Sequence, residues 1–73
     1  MHYEIWDVAT GNCVGRYDSE FDAMTRVRSL LAHIGLAYAD DLELLEEDDL
    51  GNLRGKATGT NLIARAEFVP ASR

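Results

Sequence analysis

The chain is poor in the devices that usually reinforce small domains. It has one cysteine, Cys13, so no intrachain disulfide can form, and the two histidines bring no second cysteine for a structural zinc site. Its one proline is Pro70, close to the C-terminus, so no proline interrupts the preceding elements. No apolar run is long enough to span a bilayer, and the first residues lack the basic-then-apolar order of a secretory leader. A cytoplasmic protein without membrane contact is therefore expected. Bases are scarce as well. Seven lysines and arginines face thirteen acids, for a net charge of −6, which disfavours direct nucleic-acid binding because phosphate neutralisation needs a basic face. A chain of 73 residues buries only about 60% of its unfolded surface, and its core supplies roughly 3–5 kcal/mol. With no disulfide possible and no cysteine–histidine cluster to suggest structural zinc, a homodimer is the expected reinforcement.

What is present reads as alternating strands and helix. YEIWDV (3–8) and CVGRY (13–17) are rich in β-formers and are separated by a turn-forming Ala-Thr-Gly-Asn. A three-residue loop, Ala9 to Gly11, opposes Tyr3 to Tyr17, Glu4 to Arg16 and Trp6 to Val14, each a sensible cross-strand pair. Ser19 fits a helix N-cap with Asp22 three residues on. Ala23, Met24, Val27, Leu30, Leu31 and Ile34 then recur at helical spacing, and Gly35 fits the helix end. LELLEE (42–47) and LRGKAT (53–58) read as a second strand pair. The segment from Thr60 reads as a short helix or a fifth strand, with the helix favoured by Asn-Leu-Ile-Ala-Arg-Ala. The expected fold class is α+β: an antiparallel sheet of two hairpins flanking one main helix (ββαββ), in a single domain over 1–69, with residues 70–73 a frayed tail.

One motif recurs. GNCVGR (11–16) and GNLRGK (51–56) share Gly-Asn-x-x-Gly-basic, forty positions apart. The second copy resembles a phosphate-binding loop, but it has three residues between its glycines instead of four. Ala57 also stands where a hydroxyl residue is needed, and no helix is expected to begin at Lys56. The structural reading is a turn followed by a glycine set opposite a bulky aliphatic, Gly15 against Ile5 and Gly55 against Leu45.

The order YEIWD, DSEFDAMTRVRSLL, LELLEEDDLGNL resembles small bacterial β-β-α-β-β domains of unknown function. A second resemblance is to HicB-type antitoxins, whose N-terminal part begins strand–strand–helix–strand and neutralises a small RNase. That resemblance implies an inhibitor of a basic, nucleic-acid-binding partner. The separate DNA-binding segment of such proteins has no counterpart in these residues.

Catalytic chemistry is not indicated. His2 and Cys13 lie at opposite ends of the first hairpin, and His33 suits a helix C-terminus. Asp48, Asp49 and Asn52 lack the later glutamate of a calcium loop. No catalytic residue, metal or cofactor is expected. Two binding surfaces are. If the helix covers Ile5 and Leu45, then Trp6, Val8, Val14, Leu42 and Leu44 remain on the opposite face, to be covered by a second subunit, a partner or the C-terminal segment. Residues 40–50 hold seven acids and no base. Of these, Glu46, Glu47, Asp48 and Asp49 offer an acidic surface to a basic protein. The expected function is thus a non-enzymatic homodimeric interaction module; the alternative is an acidic, antitoxin-like inhibitor.

Overall fold

The computed structural model describes residues 1–68. Strands β1 (His2–Asp7) and β2 (Asn12–Tyr17) form the first hairpin, followed by helix α1 (Glu20–Ile34) and a 3₁₀ segment, Leu36–Asp41. Strands β3 (Leu42–Glu47) and β4 (Leu53–Thr58) form the second hairpin, followed by helix α2 (Gly59–Phe68). All neighbouring strands are antiparallel, in the order β2-β1-β3-β4. The α+β class is as expected, and the C-terminal segment takes the helical alternative. Residues 70–73, expected to fray, lie outside the described residues.

The chain is a ββα unit used twice. Strand order places the hairpins back to back, with β1 against β3, so a half turn about that ladder superposes one hairpin on the other in topology. The Gly-Asn-x-x-Gly motif does the same two jobs in each. Gly11 (φ 75°) and Gly51 (φ 84°) close the turns with a left-handed backbone that other residues adopt at a cost. One residue before the second glycine, Val14 in β2 and Arg54 in β4, the edge strand carries an extra residue, a β-bulge.

These bulges correct the expected registers. Tyr3, Glu4 and Ile5 face Tyr17, Arg16 and Gly15 as expected, but Trp6 faces Cys13 rather than Val14, and Asp7 faces Asn12. The first loop accordingly has four residues, Val8 to Gly11, closed by Gly11 N–H donating to Asp7 C=O at 2.8 Å. The second hairpin has the three-residue loop, Asp49 to Gly51, between the bonded pair Asp48 and Asn52. Gly55 faces Glu46, not Leu45. At Gly15 a Cβ would stand 2.5 Å from the Tyr17 hydroxyl oxygen, so the tyrosine ring lies over the space a side chain would take and would have to swing aside for one.

Each turn is also held by an aspartate. Asp7 Oδ1 accepts from Ala9 and Thr10 N–H at 3.0 and 3.1 Å, and Asp48 Oδ1 accepts from Leu50 and Asn52 N–H, both at 2.9 Å. Asp7 Oδ2 further accepts from the Tyr38 hydroxyl at 2.8 Å, tying the first turn to the 3₁₀ segment. That bond, with the turn N–H groups behind it, holds the Asp7 carboxyl below the usual carboxylate range against slight desolvation. The same bond, reinforced by desolvation, raises the Tyr38 hydroxyl. The unfolded chain binds the Asp7 proton more readily, so the aspartate's contribution is present above about pH 4 and is lost as pH falls through its depressed folded value. The Tyr38 contribution is complete below about pH 10 and is lost as pH rises through its raised folded value. Asp7→Asn is expected to flatten the acid limb of the urea midpoint against pH, and Tyr38→Phe to flatten both limbs. An Asp7→Asn acid limb parallel to the wild-type curve would exclude this linkage.

Both helices pack on one face of the sheet. Helix α1 begins as expected, with Ser19 Oγ accepting from Asp22 N–H at 3.1 Å. It buries Ala23, Met24, Val27 and Leu31 against Ile5 of β1 and the sheet below, with Leu30 partly buried beside them. Ile34, expected in that stripe, is the last residue of the helix and is 60% exposed. Helix α2 adds Leu62 and Ala66 to the same core and lies next to Ala57, whose small side chain lets the helix approach β4. The 3₁₀ segment closes one end of the core with Ala39.

Candidate functional site

With both helices on one side, the other face of the sheet has no covering element among the described residues. Period-two alternation sets its membership: His2, Glu4 and Trp6 from β1 stand opposite Glu47, Leu45 and Glu43 of β3, flanked by Arg16 from β2 and Lys56 from β4.

The expected interaction face changes composition. Leu42 and Leu44 are 0% exposed and belong to the helix-covered core, because Leu44 sits opposite Ile5 and Leu42 opposite Asp7. Leu45, expected beneath the helix, takes their place on the open face between Glu4 and Lys56. Val14 packs against the core through its bulge, and Val8 is exposed in the first loop rather than in the strand. Of the five expected residues, Trp6 alone lies in a strand on the open face. Helix α2 does not fold back over it; that helix lies beside α1 on the far side.

Trp6 and Leu45 are half-buried and diagonal to each other, enclosed by two ion pairs and a histidine–glutamate contact. Arg16 Nε meets Glu4 Oε2 at 3.0 Å, Lys56 Nζ lies 3.9 Å from Glu43 Oε2, and His2 Nε2 lies 2.7 Å from Glu47 Oε1. The Trp6 indole N–H donates to Glu4 Oε1 at 3.0 Å, satisfying the ring's one polar atom and fixing the carboxylate. The surface is thus a small apolar centre inside a rim carrying both signs of charge.

The four acids expected to form one surface do not lie together. Glu46 points to the helical side and pairs with Arg65 of α2, while Glu47 lies on the open face against His2. Asp48 holds its turn and meets Arg54 Nε at 3.0 Å. Asp49 meets the N-terminal amine at 2.8 Å. The carboxyl groups of Asp48 and Asp49 are both lowered, the first chiefly by the Asn52 N–H and the second chiefly by its hydrogen bond with the amine.

Two features escaped sequence reasoning. His2 and Glu47 are 45 positions apart in the chain, and only the register of the two central strands, β1 and β3, brings them face to face. An apolar groove of about 360 Å³ also lies between α1 and α2, lined by Leu31, Ala32, Leu36, Ile63 and Ala66. Nothing in either helix alone marks it, since both stripes read as core. No helix of the described residues is long and apolar enough to cross a membrane. Comparison of the chain with family models, with curated proteins and with solved structures finds no match.

Proposed function

We propose that this protein is a small non-enzymatic interaction module whose uncovered sheet face is its binding surface, and whose first partner is a second copy of itself. The observation that carries this reading is the placement of both helices on one side of the sheet, which leaves Trp6 and Leu45 without a covering element among the described residues. Aromatic side chains ringed by polar groups are the usual anchors of protein contacts, and a domain of this size gains from added burial. The rim supports self-recognition: Glu4, Glu43 and Glu47 share the face with Arg16, Lys56 and His2. A twofold contact can set acids of one copy against bases of the other. A cytoplasmic setting fits the single exposed thiol, Cys13.

Sedimentation tests the reading. The wild type is expected to dimerise at tens of micromolar, on the order of ordinary weak association, and Trp6→Glu to be a folded monomer. A wild-type monomer at that concentration would sink the proposal. The acidic-inhibitor alternative draws on the net charge of −6 but is the weaker reading, since Glu46, Glu47, Asp48 and Asp49 already hold partners within the chain.

A further inference from the structure

We propose that His2, Glu4 and Glu47, brought together by the β1–β3 ladder on the open sheet face, bind a divalent cation of the zinc class. The three side chains offer an imidazole nitrogen and two carboxylate oxygens, all within 4.8 Å of one another and all half-buried. Atoms bound to one ion at about 2.0–2.2 Å stand a little over 3 Å apart, so small side-chain rotations suffice to bring the set onto an ion. One nitrogen with two carboxylates selects zinc, cobalt or manganese over calcium, which takes six to eight oxygens.

The surroundings supply what a ligand set needs beyond its donors. The Trp6 indole N–H holds Glu4 Oε1, orienting that carboxylate as outer partners orient metal ligands elsewhere. Each donor stands on a paired strand rather than on a loop, His2 directly opposite Glu47 and Glu4 two residues along on the same face. A shallow depression lined by His2, Arg16, Tyr17 and Asp18 lies alongside and leaves room for water or a further ligand on the ion.

Arg16 is the competitor. Its Nε meets Glu4 Oε2 at 3.0 Å and its Nη2 lies 3.3 Å from His2 Nε2, so the guanidinium now supplies the positive charge. Its side chain is 65% exposed and is free to swing into solvent when an ion enters. The site thus exchanges one cation for another, and removing Arg16 strengthens metal binding.

The test is titration of Zn²⁺ or Co²⁺ into the untagged chain, followed by calorimetry and by fluorescence of Trp6, the only tryptophan. Saturable binding of one ion per chain is expected, with Co²⁺ quenching Trp6 and giving the visible absorption of a protein-bound ion. His2→Ala and Glu47→Gln should each weaken binding by at least about tenfold, and Arg16→Ala should tighten it. The absence of saturable binding, or equal binding by wild type, His2→Ala and Glu47→Gln, overturns the proposal and leaves an ion-pair network only. Should a ligand variant fail to fold, the wild-type Co²⁺ spectrum and the exposed-site Arg16→Ala variant still decide the matter. The ligands lie on the rim of the face proposed for self-association, so the fluorescence titration is made at chain concentrations well below those at which the dimer forms, where the monomer's own site is read.

Discussion

Leu44→Ala is expected to remove most or all of the stability of this domain, while Leu45→Ala, one residue along, leaves it folded. Leu44 is fully buried between Ile5 and Ala57 beneath the helices. Truncating a buried leucine costs about 2–5 kcal/mol, the transfer of the lost carbons plus the cavity they leave. A core of this size supplies only roughly 3–5 kcal/mol in total. Leu45 stands on the open face between Glu4 and Lys56, and its loss costs about 1 kcal/mol or less, in line with partly exposed sites. Urea unfolding of the two variants separates these outcomes, and Leu44→Met, which nearly conserves volume, should recover most of the loss. Similar midpoints for Leu44→Ala and Leu45→Ala would mean that the β3 face assignment is wrong.

Arg65→Met has the next largest expected effect, because one guanidinium joins three elements. Its Nε and Nη2 donate to Glu20 Oε2 at 3.1 and 2.7 Å, reaching the first turn of α1, and its Nη1 donates to Glu46 of β3. Partial burial disfavours the charge, yet the hydrogen bonds that Arg65 donates to Glu20 and Glu46 outweigh it and raise the guanidinium further. Tyr3 lies in the same cluster; its hydroxyl is raised by burial and by Glu20 and Glu46. Methionine keeps the apolar stem and removes the fork, leaving two carboxylates without their shared cation. Charged hydrogen bonds of this kind contribute about 1.5–3 kcal/mol, reduced here because the partners are partly exposed, so about 1–3 kcal/mol is expected. Hydrogen exchange should show α2 amides losing protection before those of the β1–β3 ladder. The double change Arg65→Met with Glu46→Gln should cost less than the sum of the two singles; additivity would mean that the pair is decorative.

Leu44 and Leu45 stand on opposite faces from those the sequence suggests. LELLEE has leucines at 42, 44 and 45, so both alternation phases carry apolar residues and period two cannot name the buried face. Only the pairing of β3 with β1 decides it, and that partner lies some forty positions away. The first hairpin was legible as far as Ile5 because its pairs are local and chemically matched. It failed at Trp6, where the Val14 bulge adds a residue that composition does not reveal. Helix α1 was legible almost throughout, since its N-cap and stripe are written within one element. The acidic run misled for the opposite reason. Read along the chain it is a block of like charge, but alternation and a turn send Glu46, Glu47, Asp48 and Asp49 in different directions, toward partners from α2, β1, β4 and the N-terminus.

The two-fold use of a ββα unit also favours one order of assembly. Each hairpin closes a local loop of three or four residues. Such closures take microseconds. The β1–β3 ladder, by contrast, joins Asp7 to Leu42 and His2 to Glu47 and must wait until α1 and the 3₁₀ segment have drawn the intervening chain together. Loop entropy is thereby met in instalments, with helix formation shortening the last and longest span before the central strands meet. On loop entropy, the ladder that sets the two halves together is expected to form last, and His2 and Glu47 become neighbours only with it.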